Sequence, residues 1–167
     1  NSFKESKAYQ YAVDVLDSKF PTNKYIKAIC EKFLYEIDHQ EELFYYFDYD
    51  VADKIINIMK LINFATGAVA GQSLYEACVG YQYFFILNIF CWKRKDKPEK
   101  RRYEVCLLWL ARKNSKSVGS ALVMIILMIL EPKYSEFYLC ANTRDQAKIV
   151  YGETKKLIES SPIIRDK

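Results

Sequence analysis

The segment Arg112-Lys113-Asn114-Ser115-Lys116-Ser117 constrains the fold of this chain more than any other. It lies between an apolar run typical of a strand, residues 103–110, and an apolar run typical of a helix, residues 118–130. A strand, a short loop ending in Lys-Ser and a helix form the layout of a phosphate-binding P-loop. The backbone N–H groups of such a loop, and the N-terminus of its helix, point at a phosphate group. The layout therefore predicts an α/β fold that uses a nucleotide.

Two residues of the segment carry the chemistry, and two positions depart from the full pattern. Lys116 supplies a point charge for phosphate, and the hydroxyl of Ser117 can be a ligand to Mg²⁺. The full pattern has glycines where this chain has Leu110 and Ser115. Because a glycine before the lysine lets the backbone turn tightly beside a phosphate, Ser115 predicts a strained or looser loop. A basic loop that caps an ordinary helix remains the alternative, since Lys-Ser pairs are common.

Positive charge is concentrated in one loop. Residues 1–92 carry 8 basic and 12 acidic side chains, whereas residues 93–102 carry 7 basic and 2 acidic ones. Residues 103–167 carry 10 basic and 7 acidic side chains. Such a basic loop can contact a polyanion such as DNA. A solvated connecting loop is the simpler interpretation of this segment taken alone.

The cysteines and the apolar runs exclude several classes of protein. Five cysteines, an odd number without a C-x-x-C pair, predict buried free thiols rather than a disulfide framework. One histidine among scattered cysteines does not predict a zinc site. The polar start of the chain is unlike a secretory signal, and the longest strongly apolar run, residues 121–130, is too short to span a bilayer.

The first eighty residues are predicted to be helical. Apolar residues recur at helical spacing in residues 8–16, 25–37 and 55–62. Pro21 breaks the first of these helices from the second, which Thr22 or Asn23 caps. Ser73 and Glu76 form a capping box for a fourth helix that is expected to run to about Trp92.

After the basic loop the pattern changes to alternating strands and helices. Residues 103–110 and 136–141 are predicted strands, and each precedes a predicted helix. The order β-α-β-α implies a parallel sheet with right-handed crossovers. Two strands are too few for a complete sheet, so further strands are expected after residue 167. The predicted fold is α/β: a P-loop NTPase core in residues 81–167, with its sheet incomplete, after a helical N-terminal segment in residues 1–80.

Short motifs along residues 81–150 resemble, in order, the large subunit of tailed-phage terminases, the motor that packages viral DNA. The family pattern runs F-G-W, a charged loop, R-R, a strand, R-K-N-G-K-S, an apolar helix, E…E-x-Y-x-x-A and Q-A. The matching residues are Phe90-Cys91-Trp92, Arg101-Arg102-Tyr103, Ala111 to Ser117, Glu131, Glu136-Phe137-Tyr138, Ala141 and Gln146-Ala147. Cys91 and Ser115 stand where the family has glycine.

The resemblance implies a role for each matching site residue. Lys116 would contact the β- and γ-phosphates of ATP, and Ser117 would help to hold Mg²⁺. Arg112 would act in cis on the γ-phosphate as a catalytic residue beside Lys116. The loop residues between them, Lys113, Asn114 and Ser115, would surround the phosphates. Gln82 matches the glutamine that recognises adenine, because an amide can both donate to and accept from the edge of the base.

The resemblance also implies partners and a place in the viral cycle. The intact protein of the bacteriophage or prophage would bind double-stranded DNA, the portal protein, the small terminase subunit and further copies of itself in a ring, without a membrane, in the host cytoplasm. Neither a Walker B carboxylate nor a nuclease domain is recognisable before Lys167. The chain is therefore expected to be an N-terminal fragment of an ATPase, inactive or poorly active by itself.

Two alternatives remain open. The chain could belong to another ATPase with a glutamine motif before its P-loop, such as a helicase. It could also be a non-enzymatic helical DNA-binding or assembly module, in which the basic loop 93–102 carries the function and the Lys-Ser loop is incidental.

Overall fold

The computed structural model of the chain describes residues 2–111 and 113–165, and its regular structure is mostly helical. A small antiparallel sheet accompanies the helices, so the chain is a mixed α and β protein. Short 3₁₀ helices cover Ser2–Glu5 and Gln40–Glu42. The other elements are α1 (Lys7–Leu16), α2 (Lys24–Asp38), β1 (Tyr45–Phe47), α3 (Tyr49–Leu61), α4 (Leu74–Ala77), α5 (Gly80–Cys91), β2 (Trp92–Arg94), α6 (Lys116–Leu130), α7 (Arg144–Glu159) and α8 (Pro162–Arg165).

The chain divides into two compact units that alternate along the sequence. The first unit contains residues 1–54 and 78–107, and the second contains residues 55–77 and 108–167. Helix α3 begins in the first unit and ends in the second. Each unit has its own buried apolar residues.

Helices α1 and α2 of the first unit begin where short polar side chains accept backbone hydrogen bonds. The hydroxyl of Ser6 accepts from the N–H of Tyr9, at 3.3 Å, before α1. The side chain of Asn23 accepts from Tyr25 and Ile26, both at 3.0 Å, before α2. These caps satisfy N–H groups that lack an acceptor within the helix. Asn23 is thus the cap of the second helix, one of the two residues predicted for that role.

The single helix predicted from Ser73 to about Trp92 is wrong, because the chain forms two helices and a strand there. Helix α4 ends at Ala77, and α5 begins at Gly80. A Cβ atom on Gly80 would lie 2.9 Å from the Cβ of Tyr11, so a glycine allows α5 to begin directly against α1. Trp92 does not continue the helix but begins β2.

Aromatic side chains form the core of the first unit. The rings of Phe3 and Phe47 lie 4.7 Å apart between centroids, and those of Phe47 and Trp92 lie 5.3 Å apart in an edge-to-face arrangement. Phe33 on α2 meets Phe84 on α5 edge to face at 5.0 Å. Aromatic pairs in these geometries contribute beyond the area they bury. The ladder of β1 and β2 places Phe47 opposite Trp92, which joins the sheet to this core.

A buried ion pair joins α2 to the chain that follows β2. Arg102 donates from both terminal nitrogens to both carboxylate oxygens of Glu36, at 2.8 and 2.9 Å, and the side chains are only 11% and 9% exposed. Burial opposes the charged guanidinium, but its hydrogen bonds to Glu36 keep the pKa of Arg102 above the ordinary value. The guanidinium also lies over the rings of Tyr45, Trp92 and Tyr103. The pair therefore fixes residue 102 over the aromatic core.

The second unit is built on aliphatic helix faces. Ile55, Ile58, Met59 and Ile62 are buried, as the helical spacing predicted. Helix α6 packs against α7, where the hydroxyl of Thr143 caps the first turn by accepting from the N–H of Gln146 at 3.3 Å. Serine hydroxyls join the segment after α3 to the end of α7: Asn63 N–H donates to Ser161 Oγ, and Ser160 Oγ donates to Asn63 O, both at 2.8 Å.

The predicted parallel sheet is not present among the described residues. Residues 103–110 and 136–141 have no regular secondary structure. Val105 and Trp109 are both 88% exposed, as expected of a strand-forming sequence that lacks a neighbouring strand. A strand gains its stability from ladder hydrogen bonds and from covered faces, and the paired strands described here are β1 and β2, which are antiparallel.

The same absence of covering strands changes the expected burial of the cysteines. Cys30, Cys78 and Cys91 are buried free thiols, as predicted, but Cys106 and Cys140 are exposed. Both exposed residues lie in the segments predicted as strands. No helix within the described residues is both long enough and apolar enough to cross a membrane.

We predict that Glu36→Gln lowers the free energy of unfolding by about 3 kcal/mol, because it leaves the Arg102 charge buried without its counter-charge. The exposed pair of Lys4 and Asp38, with side chains 47% and 48% exposed, supplies the control. Asp38→Asn should cost less than about 1 kcal/mol. Urea unfolding of the two variants measures the difference. Equal losses in the free energy of unfolding would show that the buried pair stabilises the fold no more than the exposed pair does.

We predict that two thiols of the native protein react rapidly with a disulfide reagent at pH 8, and that three react only after unfolding. Burial raises the pKa of Cys30 and of Cys78 to about 11, so almost no thiolate forms at either site at pH 8. Partial burial also raises the pKa of Cys106, which should therefore be the slower of the two exposed thiols. Cys106→Ser and Cys140→Ser should each remove one rapid equivalent. The double variant Cys106→Ser, Cys140→Ser should show no rapid equivalent, and any rapid reaction in it would contradict the burial of Cys30, Cys78 and Cys91.

Candidate functional site

Helix α6 is the element on which the predicted phosphate site depends. It begins at Lys116 and continues through a run of apolar residues to Leu130. Ala121, Leu122, Ile125 and Ile126 are buried, which holds the helix in the second unit. Because burial holds its middle, the position of its N-terminus is fixed by packing rather than by the loop that precedes it.

The loop before α6 turns through two left-handed residues. Lys113 has φ 67° and Ser115 has φ 52°, and both carry a side chain that disfavours this conformation. Ser115 occupies the position where the full P-loop pattern has glycine, which takes positive φ without steric cost. The sequence predicted strain at this residue, and its positive φ agrees with that prediction.

The N-terminus of α6 has N–H groups without an acceptor in the helix. The first backbone hydrogen bond of the helix runs from Gly119 N–H to Ser115 O, at 2.8 Å. The N–H groups of Lys116, Ser117 and Val118 precede that bond, and the Ser115 side chain makes no capping hydrogen bond. These groups and the helix dipole favour an anion at this end of the helix.

The ammonium group of Lys116 closes the loop from the other side. Its Nζ donates to the carbonyl oxygen of Leu110 at 2.9 Å, which spans six residues of chain. A phosphate oxygen is a stronger acceptor for an ammonium group than a neutral carbonyl is. The side chain is exposed, so it can exchange the carbonyl for an incoming anion without disturbing the core.

The other predicted loop residues surround this N-terminus. Ser117, half-buried, lies in the first turn of α6, and Asn114 donates weakly to Ala111 O at 3.5 Å. Lys113 is exposed. Arg112, the predicted catalytic partner of Lys116, lies outside the described residues. Residues 113–117 are thus brought together by one turn of chain and the start of one helix.

Gln82, the predicted adenine contact, belongs to the first unit and serves its own helix there. Its Oε1 accepts from the N–H of Val79 at 2.9 Å and so caps α5. An amide oxygen can accept a second hydrogen bond, and Nε2 can donate to a ligand. The capping interaction is local, three residues apart, so it accounts for a glutamine at this position without any ligand.

The described residues offer few side-chain ligands for the expected Mg²⁺. Among residues 2–111 and 113–165 no group of three or more His, Cys, Asp or Glu side chains could hold a metal ion. Mg²⁺ commonly takes few protein ligands and several phosphate oxygens or waters. A single hydroxyl from Ser117, beside a helix N-terminus with unpaired N–H groups, fits that mode, and Mg²⁺ bound there would add positive charge beside the phosphates.

Sequence reasoning missed two features of the loop. The carbonyl of Leu110 holds Lys116, and Lys113 is left-handed as well as Ser115. No residue type marks a carbonyl acceptor, and lysine is not a residue that favours positive φ. The signal that was available is Ser115 itself, because a side chain at a glycine position of the pattern indicates backbone strain.

Comparison with known proteins identifies one family. The sequence profile of the terminase large subunit, ATPase domain, matches residues 80–165, which is slightly more than half of the chain. No curated protein and no solved structure matches the chain significantly. The matched range contains α5, the basic loop, the loop before α6, α6 and α7.

We predict that Ser115→Gly raises the free energy of unfolding by about 0.5–1 kcal/mol, because glycine relieves the left-handed backbone at some cost in chain entropy. Ser120→Gly is the matched control, since Ser120 is an exposed residue inside α6. That change should lower the free energy of unfolding by about 0.5–1 kcal/mol. Chemical denaturation of both variants tests the prediction. The same sign for both changes would mean that the loop is not strained at residue 115.

Proposed function

Because this chain belongs to the terminase large subunit family, we propose that it forms part of the motor that uses ATP hydrolysis to drive double-stranded DNA into a viral procapsid. The residues that match the ATPase domain begin at 80, which supports the proposed division into a helical segment, 1–80, and the first part of a P-loop ATPase domain, 81–167. The family match favours this motor over a helicase with a similar glutamine motif.

One observation supports nucleotide binding more than the others. At the start of α6, three consecutive backbone N–H groups lack an acceptor in the helix, and the Lys116 ammonium reaches across the same loop. This arrangement suits a triphosphate, whose oxygens can receive the backbone donors while the ammonium lies against the β- and γ-phosphates. In the bound state Lys116 leaves the carbonyl of Leu110 for a phosphate oxygen.

The remaining site residues take roles around that triphosphate. Ser117 would provide one oxygen ligand for Mg²⁺, and the ion would stabilise charge on the phosphates. The turn formed by Lys113, Asn114 and Ser115 wraps the phosphates, and Arg112 acts on the γ-phosphate as charge develops during transfer to water. Gln82 binds the edge of adenine through its Nε2 donors while its oxygen caps α5.

The intact protein would work as an assembly. We propose that it forms a ring of identical copies in the host cytoplasm, docks on the portal protein and receives DNA with the help of the small terminase subunit. The bacteriophage or prophage that encodes it would supply these partners. ATP hydrolysis in each copy would provide the free energy for each step of DNA movement.

We predict that Lys116→Ala weakens binding of a fluorescent ATP analogue by the intact protein roughly 10- to 100-fold, the loss expected for a contact of about 1.5–3 kcal/mol with a charged group. Lys133→Ala removes the same charge from an exposed turn that follows α6 and should leave the affinity unchanged. Fluorescence titration with Mg²⁺ present measures both constants.

Unchanged binding in Lys116→Ala would exclude the proposed nucleotide site and favour a non-enzymatic assembly module. Equal weakening in Lys133→Ala would show only a dependence on net charge. Thermal unfolding of both variants verifies that any loss arises at the loop and not from a disturbed fold.

A further inference from the structure

The basic loop after β2 is a folded hairpin rather than a loose connection. Its residues, 92–102, form what is called the basic hairpin below. Lys93 pairs with Arg101 in an antiparallel bridge, so β2 has a second neighbour besides β1. Backbone hydrogen bonds close the hairpin from Arg94 N–H to Lys100 O at 3.1 Å, from Arg102 N–H to Trp92 O at 2.9 Å and from Lys100 N–H to Lys97 O at 2.9 Å.

The last of these hydrogen bonds defines a β-turn at the tip. Its four residues are Lys97-Pro98-Glu99-Lys100, with proline at the second position, where its fixed φ suits the turn. The turn brings its two terminal lysines close to each other. Both are exposed, so two ammonium groups project from one rigid point of the surface.

The base of the hairpin is held by contacts that leave its tip free to bind. Arg102 is anchored by Glu36 over the aromatic core. Lys95 donates to the carbonyl oxygen of Gln40 at 2.7 Å, which attaches the hairpin to the segment before β1. Because these contacts hold the backbone in place, binding through the tip requires little ordering of the chain.

Some positively charged side chains of the hairpin are paired with a carboxylate, and others are not. Arg94 is neutralised by a bidentate pair with Asp96, at 2.9 and 2.7 Å. Among the described residues no carboxylate lies within ion-pair distance of Lys93, Lys97 or Lys100. Glu99 at the tip is the opposing charge. Three ammonium groups against one carboxylate leave a local excess of positive charge.

We propose that the basic hairpin contacts the phosphate backbone of duplex DNA in the proposed motor. Lysine contacts a phosphate as a point charge without strict geometry, which suits a partner that must move along the protein regardless of sequence. The aromatic side chain of the basic hairpin, Trp92, is fully buried, whereas binding of single strands relies on stacking of bases on exposed aromatic rings. This inference rests on the DNA-translocating function proposed above and adds to it the surface that meets the DNA.

The salt dependence of DNA binding tests the hairpin directly. The triple variant Lys93→Gln, Lys97→Gln, Lys100→Gln removes the three available ammonium groups and leaves Arg102 and its anchor intact. Each lost phosphate contact should reduce the slope of log affinity against log salt by about 0.9. Between 50 and 200 mM salt, the unsubstituted intact protein should therefore lose roughly 40-fold more affinity for a short duplex than the variant does.

A matched triple variant shows whether DNA binding depends on the position of the lysines or only on net charge. Lys133→Gln, Lys148→Gln, Lys155→Gln removes the same charge from exposed residues of the second unit. Its salt slope should equal that of the unsubstituted protein. An equal reduction of slope in both triple variants, or no salt-dependent binding of duplex DNA by the unsubstituted protein, would overturn the proposal.

A second variant, Glu99→Gln, is expected to increase the affinity for duplex DNA. This test is useful because misfolding would not increase the affinity. Removal of the opposing carboxylate should tighten binding of the duplex at low salt, and high salt should cancel the gain. Glu153→Gln, in α7, is the control and should not tighten it. A Glu99→Gln variant that binds DNA no better than the unsubstituted protein at low salt would contradict the role assigned to the tip.

Two further readouts separate this proposal from its alternatives. The affinity for the ATP analogue should be the same in the hairpin triple variant and in the unsubstituted protein. If Lys116→Ala alone weakens nucleotide binding, that result tests the nucleotide site and not the hairpin. Sedimentation should show no change of oligomeric state in the hairpin triple variant. If that variant dissociates the oligomer and keeps its DNA affinity, the hairpin is a contact between copies and the proposal fails.

Discussion

The first backbone N–H groups of an α-helix have no hydrogen-bond acceptor within the helix, and in this chain that constraint determines the candidate site. Helix α6 is held by its buried middle, and Ser115 does not cap it. Three N–H groups therefore face the turn that precedes the helix. An anion at the proposed site would satisfy them and is favoured by the helix dipole, and Lys116 and Ser117 stand in the first turn beside it.

The loop before that helix is held by strain and by one side chain. Positive φ at Lys113 and Ser115 bends the backbone towards the N-terminus of the helix, and Lys116 bridges back to Leu110. A strained turn persists only where its surroundings hold it, and such turns are common where ligands bind. The carbonyl of Leu110 is a weaker partner for the ammonium than a phosphate oxygen, so a phosphate at the proposed site would displace it.

In the first unit, one buried ion pair determines how the basic hairpin is held. Arg102 and Glu36 are 66 residues apart in sequence, and both are almost buried. Together they close the base of the basic hairpin over aromatic rings. Because this anchor and the backbone hydrogen bonds of the hairpin hold the chain that carries Lys93, Lys97 and Lys100, contact with a partner requires little ordering. The interaction therefore links the stability of the core to the presentation of positive charge.

Local patterns were sufficient for much of the helical structure. Asn23 and Thr143 cap their helices, the apolar stripe of α3 is buried, and α6 begins at Lys116, because helix starts and helix faces depend on neighbours only a few residues away. The ordered motifs from residue 81 onward identified the terminase family, which the profile match confirms. The roles of the individual loop residues remain predictions.

Contacts between distant residues decided what the sequence pattern could not. The closeness of Tyr11 requires a glycine at position 80, and the exposure of Cys106 and Cys140 follows from the lack of a covering strand. The sequence by itself determined the family and the helix faces, and it predicted phosphate binding by residues 112–117. Only the tertiary structure decided where helices break, which thiols are buried and how the basic hairpin is anchored, because each depends on a surface supplied by another part of the chain.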